Sequence, residues 1–146
     1  MMNREYKQTL NAQLKRELLR IKALINLDGQ TPEKKAELFF EQALVYDYAQ
    51  QYAEAITSFD KALKIKPDYH EAWNNRGSAL GNLGRLEVLN NWSSGQVNIE
   101  RFKDVIASYD KALEFKPDKD KAWYNIKHLR FIISLAFMRY MVRWME

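Results

Sequence analysis

Apolar side chains recur every three or four positions along most of the chain, which is the spacing of one face of an α-helix. No run alternates with period two, as half-buried strands do, and only three prolines and five glycines interrupt 146 residues. The pattern therefore predicts an all-α protein. The first helix is predicted over residues 4–27, and its apolar stripe consists of Tyr6, Leu10, Leu14, Leu18, Ile21 and Leu24 or Ile25.

One part of this pattern occurs twice. The stretch SFDKALKIKPD at residues 58–68 returns as SYDKALEFKPD at residues 108–118, fifty positions later. The exchange of Phe59 for Tyr109 keeps a large ring at the same place. Agreement of this kind indicates an internal repeat.

The spacing around both copies resembles the 34-residue tetratricopeptide repeat, a helix–turn–helix unit. The first copy shows Phe39-x-x-Gln42-Ala43-x-x-Tyr46, then Ala55-x-x-x-Phe59 and Pro67. The second shows Trp73-x-x-Arg76-Gly77-x-x-Leu80, then Val105-x-x-x-Tyr109 and Pro117. The resemblance implies a short right-handed superhelical stack of antiparallel helix hairpins, with extra helices at the N- and C-terminal ends.

The residues also give physical reasons for such a stack. Large side chains at Phe39 and Trp73 are expected to fill the layer between neighbouring repeats, and the proline of each KPD ends a hairpin because it cannot continue a helix. Small residues allow the two helices of a hairpin to approach closely. These small residues are Ala43, Ala55, Ala62, Gly77 and Ala112.

Residues 1–146 are expected to form a single domain. After the helix at 4–27, a glycine stop, a Thr31 cap and Pro32 introduce the first repeat. The expected parts are repeat 1 at 36–69, repeat 2 at 70–119 and a terminal helix at 120–146.

An offset of fifty against a period of 34 leaves sixteen residues over, and we place them as an insert at about 86–101 in the tip of the second hairpin. Such an insertion costs little, because loop-closure entropy grows only logarithmically with length. Trp92 in the insert is either a binding anchor or a side chain that packs over its own hairpin.

The terminal helix begins like a third repeat, with Ala122, Trp123 and Asn125 in register, but Lys127 takes the place of a small residue. One face of this helix can pack on repeat 2: Ile126, Leu129, Ile133, Ala136, Tyr140 and Trp144. A second, nearly opposite face carries Phe131, Leu135, Met138, Val142 and Met145. Burying each such side chain is worth roughly 1.5–3 kcal/mol, so this face is expected to have a partner.

Self-association into a homodimer is the favoured use of this second face. An interfacial membrane helix, with its lysines and arginines near headgroups, is a weaker alternative. Coverage within the monomer, by the N-terminal helix or by the insert, also remains open. The apolar run is far too short to span a bilayer.

Composition and charge argue against several other functions. Cysteine is absent, which excludes disulfides and thiolate metal sites. A net charge of +4 without a continuous basic stripe does not favour nucleic-acid binding. The N-terminal sequence is charged and lacks the apolar stretch of a secretory signal, so the cytoplasm is the default location.

Catalytic and metal chemistry also find little support. His70 and His128 are 58 positions apart and have no companions at a ligand spacing, so neither a metal nor a cofactor is expected. The glycines at 77, 81 and 84 lie within a predicted helix and suit close packing better than phosphate binding. Carboxylates at Glu37, Glu41, Asp47 and Glu71 are interpreted as recognition charges rather than general acids or bases. The chain is therefore not expected to be an enzyme.

The family resemblance implies a protein–protein interaction module, a scaffold whose first helices line a concave groove for a peptide or helix of another protein. Mapped onto this sequence, the groove contains Phe40, Glu41, Leu44, Tyr48, Asn74, Asn75, Ser78, Asn82, Lys121, Tyr124, Asn125 and His128. Asn75 and Asn125 occupy the same repeat position, where several family members use asparagine amides to bind a peptide backbone. The alternative is that both are merely solvated polar residues.

One subgroup of the family binds the C-terminal carboxylate of chaperones through lysine, asparagine and arginine side chains. Asn75 and Lys121 match that set, but Phe40, Leu44 and Asn125 replace the other three residues. The expected ligand is therefore an amphipathic or partly apolar segment. The alternative function is a self-assembling structural subunit, whose terminal helix or insert fills a neighbour's groove.

Overall fold

In a computed structural model, the structure describes residues 4–90, 99–117 and 122–127, and all regular secondary structure within these ranges is helical. The helices are α1 (Arg4–Ile25), α2 (Pro32–Tyr48), α3 (Tyr52–Ile65), α4 (His70–Asn90) and α5 (Ile99–Phe115). Residues 122–127 are also helical. The predicted all-α fold class is confirmed.

Local signals set the start of α2. The hydroxyl oxygen of Thr31 accepts a hydrogen bond from the backbone N–H of Lys34 at 3.2 Å, which satisfies one of the open donors of the first turn. Pro32 follows at the first helical position, where a missing N–H costs nothing. Gly29 supplies the left-handed turn before it, with φ of 81°. The predicted Thr31 cap is confirmed.

Two helix hairpins form the body of the fold. Helix α2 packs against α3, α4 packs against α5, and α3 also contacts α4, while α1 lies against α2. A Cβ atom placed on Gly77 would lie 2.9 Å from Cε1 of Tyr109, so α4 and α5 are as close as they are because this residue is glycine. The predicted small contact residues Ala43, Ala55, Ala62, Gly77 and Ala112 are all buried.

Two hydrophobic clusters lie in the core of the described residues, the first formed by α2, α3 and α4 and the second by α4, α5 and residues 122–127. The first cluster contains Ala43, Ala55, Phe59, Leu63, Ala72 and Ala79. The second contains Leu80, Val105, Tyr109, Ala112, Ala122 and Ile126. Trp73 packs against both clusters, and its indole N–H donates to the carbonyl of Pro67 at 2.8 Å. Trp73 therefore joins the two repeats, as its size predicts.

The two hairpins repeat one polar contact. In the first, the Ser58 hydroxyl donates to Oε1 of Gln42 at 3.1 Å. In the second, Nη1 of Arg76 donates to Oγ of Ser108 at 2.7 Å. Arg76 also reaches back to the first hairpin, because its Nε lies 2.6 Å from Oδ1 of Asp60. The same pair of positions is thus linked in both repeats, and Arg76 additionally holds the repeats together.

Helix α1 contacts α2 through the C-terminal part of its apolar stripe. Ile21 is buried, Nη2 of Arg20 lies 3.9 Å from Oε2 of Glu41, and the Lys22 ammonium lies over the Tyr46 ring. Tyr6, at the other end of the predicted stripe, is 56% exposed. Only the C-terminal part of the predicted apolar stripe of α1 therefore packs against α2.

The region assigned to the insert contributes to both helices of the second hairpin. Helices α4 and α5 have 21 and 17 residues, compared with 17 and 14 for α2 and α3. Residues 91–98, including Trp92, lie outside the described ranges, as do residues 128–146. The second apolar face predicted for the terminal helix, with Phe131, Leu135, Met138, Val142 and Met145, is among these.

Candidate functional site

The predicted groove residues that the structure describes lie on α2 and α4, the first helices of successive hairpins, and on residues 122–127. Lys121 and His128 fall outside the described ranges. The described members fall into an apolar section on α2 and a polar section between α4 and residues 122–127.

The apolar section is a stripe along α2 formed by Phe40, Leu44 and Tyr48, which share one helix face at intervals of four residues. The Phe40 ring lies 4.7 Å from that of Tyr69 and 5.8 Å from that of Phe59, so Phe40 is half-buried against the first core cluster. Leu44 and Tyr48 are 40% and 65% exposed. This apolar stripe therefore has an anchored end and an accessible end.

Acidic side chains surround the anchored end of the apolar stripe. Burial raises the pKa of the Tyr69 hydroxyl, and the negative charges of Glu71, Glu37 and Glu41 raise it further. The basic neighbours of these carboxylates are His70 for Glu71, Lys34 for Glu37 and Arg20 for Glu41. The Lys66 ammonium also lies 4.9 Å from the centroid of the Tyr69 ring, so charges of both signs lie around this phenol.

The polar section centres on the Tyr109 hydroxyl. It lies 3.1 Å from Oγ of Ser78 and also forms a hydrogen bond with the side chain of Asn125. Burial raises the pKa of Tyr109, whereas these two hydrogen bonds act in the opposite direction. Phe59 occupies the matching position in the first repeat and has no hydroxyl. Ser78 and Asn125 are thus brought together by a contact that only the second repeat can make.

Two oxygens in the groove are buried without a hydrogen-bond partner: Oδ1 of Asp47 and Oδ1 of Asn74. Burial raises the pKa of the Asp47 carboxyl. Asp47 also lies in the last turn of α2, which contains no basic residue, so its charge faces the negative end of the helix dipole. Both oxygens are acceptors that the described protein leaves unused.

The remaining predicted groove residues in the described ranges are Asn75, Asn82 and Tyr124. Asn75 and Asn82 are half-buried on α4. Tyr124 is 69% exposed, beside Trp123 at 60%. Asn75 and Asn125 share a repeat position, but the Asn125 amide is already engaged with Tyr109.

Two aromatic residues matter more to this site than the sequence pattern indicated. Tyr69 stacks against the apolar stripe, and a signal for it exists, because it follows the first KPD where the second copy has Lys119. The Tyr109 hydroxyl was signalled by the exchange with Phe59, which adds one polar atom to an otherwise apolar position.

Residues 4–90, 99–117 and 122–127 show neither a metal-binding group nor a membrane-spanning helix. In that part of the chain no three His, Asp or Glu side chains are grouped so as to hold a metal ion. No helix there has the length and apolar character needed to cross a membrane.

Comparisons with known proteins agree with the repeat pattern. A family model described as TPR repeat matches residues 40–84. An uncharacterized protein of Methanocaldococcus jannaschii is 35% identical over 54 residues, which are 37% of this chain and 63% of that protein. The chain thus matches less than two thirds of that relative's length.

A solved structure extends the similarity to most of the fold. The first TPR of Spaghetti (RPAP3), bound to the HSP90 peptide SRMEEVD, matches with a TM-score of 0.65. The match covers 88% of this chain and 86% of the other, at 16% sequence identity. The chain therefore contains a match to the TPR repeat model at residues 40–84, and its fold is similar to that of a solved TPR domain.

Proposed function

We propose that the chain is a non-catalytic interaction module, which binds a segment of a partner protein along the first helices of its hairpins. The observation that carries this proposal is the apolar stripe of α2, whose Leu44 and Tyr48 are 40% and 65% exposed beside a polar section. A ligand that buried such side chains would gain roughly 1.5–3 kcal/mol for each one fully covered. The bound peptide in the RPAP3 structure supports this use of the fold.

The character of the groove favours an amphipathic or partly apolar ligand. Phe40, Leu44 and Tyr48 would contact its apolar side, while Ser78 and Asn74 would face polar groups. The peptide in the RPAP3 structure, SRMEEVD, carries three acidic residues, which the exposed side chains of Leu44 and Tyr48 do not complement. We place this binding in the cytoplasm and assign it no metal or cofactor.

Selection from a phage-displayed library of random dodecapeptides tests the proposal without knowledge of the partner. The unmodified chain is the bait, and enriched peptides are then measured by fluorescence anisotropy. Leu44→Glu should weaken binding at least about tenfold, because it places a charge in the apolar contact. The matched control is Phe115→Glu, since Phe115 is also 40% exposed but lies on α5, a second helix of a hairpin. Failure to enrich any peptide, or equal losses in both variants, would reject the groove as a binding site.

A second candidate function, a homodimer, is favoured by two exposed aromatic side chains in residues 122–127. Trp123 occupies the repeat position of the half-buried Trp73 but is 60% exposed, and Tyr124 beside it is 69% exposed. A second copy that covered these rings would bury a large apolar area. Static light scattering of the chain, and of a version ending near Arg130, tests this. A mass of 17.3 kDa for the whole chain at all concentrations would exclude the dimer.

A further inference from the structure

Helix α1 carries the whole net charge of the chain. It contains six lysine and arginine residues and two glutamates, so its net charge is +4. The complete sequence also has a net charge of +4, which means that acidic and basic residues balance outside α1. Because α1 packs against α2 through the side that carries the buried Ile21, much of this basic helix faces solvent.

The side of α1 that faces away from α2 carries an exposed leucine among basic residues. Leu19 is 68% exposed and lies two positions from the buried Ile21, a turn of about 200° around the helix. The neighbours of Leu19 on the helix surface are the residues three and four positions before and after it. These are Lys15, Arg16, Lys22 and Ala23. Three of the four are basic and none is acidic, and we call Lys15, Arg16, Leu19 and Lys22 the basic patch.

The positive charges of the basic patch are not neutralised within the described residues. Lys15, Arg16 and Lys22 are exposed, and none of them forms an ion pair with another described residue. The carboxylate of Glu17, on the same helix, pairs instead with Arg20. Arg16 and Arg20 are four positions apart, where like charges destabilise a helix. A ligand with carboxylates would relieve this repulsion, and an apolar group on it would cover Leu19.

The composition of the basic patch decides between classes of ligand. A helix that lies on a membrane surface needs a wider apolar face, rich in leucine and aromatic residues, than a single leucine provides. Single-stranded nucleic acid is bound by aromatic side chains that stack on its bases, and the patch contains none. An acidic protein segment suits both parts of the patch, because its carboxylates complement the three cations and its apolar residue contacts Leu19.

We propose that the basic patch of α1 is a second binding surface, which binds an acidic protein segment with an apolar residue among its aspartates or glutamates. The carboxylates of this segment pair with Lys15, Arg16 and Lys22, and its apolar residue packs on Leu19. The inference does not depend on the proposed function, because no residue of the patch belongs to the apolar stripe or to the polar section of the groove.

Selection of random dodecapeptides on the unmodified chain, followed by fluorescence anisotropy of each enriched peptide, tests this surface as well. One class of enriched peptides should contain several aspartates or glutamates around an apolar residue. For this class, Lys15→Glu/Lys22→Glu should weaken binding at least about tenfold, and Leu19→Gln at least about threefold. The affinity of these peptides should also fall as the salt concentration rises.

A matched control separates the basic patch from the charge of the whole chain. Lys61→Glu/Lys64→Glu makes the same change of net charge at exposed positions of α3 and should alter affinity by less than about twofold. Leu44→Glu should also leave these peptides bound, which distinguishes them from ligands of the groove. Equal losses in the two charge variants would overturn the proposal. The absence of any acidic peptide that Lys15→Glu/Lys22→Glu weakens would overturn it too.

Two further probes represent the other classes of ligand. They are vesicles of phosphatidylcholine with phosphatidylserine, measured by co-sedimentation, and oligouridylate RNA, measured by anisotropy. Neither should bind the chain more tightly than the best acidic peptide does. If either binds more tightly and loses its affinity in Lys15→Glu/Lys22→Glu, the basic patch is a membrane or nucleic-acid surface and the proposal is wrong.

Discussion

The contact between Gly77 and Tyr109 gives a quantitative test of how the second hairpin is packed. In Gly77→Ala the new Cβ would lie 2.9 Å from Cε1 and 3.0 Å from Cδ1 of the Tyr109 ring. These distances are well inside ordinary carbon–carbon contact. Tyr109 is only 5% exposed and belongs to the second core cluster, so the ring cannot swing out of the way. The helices must separate or the ring must leave its preferred rotamer.

Two opposing terms set the size of the effect. Overpacking a well-packed core costs about 1–3 kcal/mol. Replacing glycine by alanine inside a helix returns about 1 kcal/mol, because alanine loses less backbone entropy on folding. Gly77→Ala should therefore destabilise the protein by about 0–2 kcal/mol.

Gly81 on the same helix provides the matched control, because a Cβ atom there would meet nothing within 4 Å. Gly81→Ala should keep the entropic gain alone and stabilise the protein by up to about 1 kcal/mol. Urea unfolding of both variants, at the same m-value, measures the difference between their free energies of unfolding. This difference should equal the overpacking cost of about 1–3 kcal/mol. If the two variants differ by less than about 0.5 kcal/mol, the close approach of α4 and α5 is not the reason for glycine at position 77.

Three further predictions use the same unfolding assay. Arg76→Met removes the side chain that bridges the hairpins and should cost about 1.5–3 kcal/mol, whereas Lys111→Met breaks an exposed ion pair and should cost less than about 0.5 kcal/mol. Thr31→Ala removes the cap of α2 and should cost about 1 kcal/mol, whereas Thr57→Ala, whose hydroxyl bonds within its own helix, should change little. Burial raises the pKa of Asp47 in the folded chain, so the folded state holds that proton to higher pH and ionisation destabilises it. Asp47→Asn should therefore be more stable than the parent at neutral pH, and the gain should disappear well below pH 3.8; a gain that persists there would contradict the linkage.

The sequence predicted the repeat architecture because close packing selects residues by size at fixed spacings. Ala43 and Gly77 are 34 positions apart, and both are buried where two helices approach. Trp73 could likewise be placed between the repeats from its size and its position in the repeat. The extent of the contact between α1 and α2 could not be read in this way, since Tyr6 fits the helical stripe yet is 56% exposed. Periodicity identifies a helix face but not how far the neighbouring helix runs along it.

The candidate site was less accessible to sequence reasoning. The groove helices could be named from the repeat register, but the hydrogen bond of Asn125 depends on the reach of the Tyr109 hydroxyl across two helices. The burial of Asp47 depends similarly on the packing around the last turn of α2. Such features arise from distances between side chains of different helices, which the spacing along one chain does not contain.

Residues 122–127 continue the repeat register but differ from the first two copies at two contact positions. Gln42 and Arg76 occupy the same repeat position. Each forms a hydrogen bond with a serine on the second helix of its own hairpin. In the third copy that position is Ile126, which is 3% exposed and belongs to the second core cluster. The next position, buried Gly77 in the second copy, is the exposed Lys127, and a lysine there would hold a following helix away. Residues 122–127 thus contact the hairpin before them, as the start of a repeat does. Ala122 and Ile126 thereby complete the second core cluster.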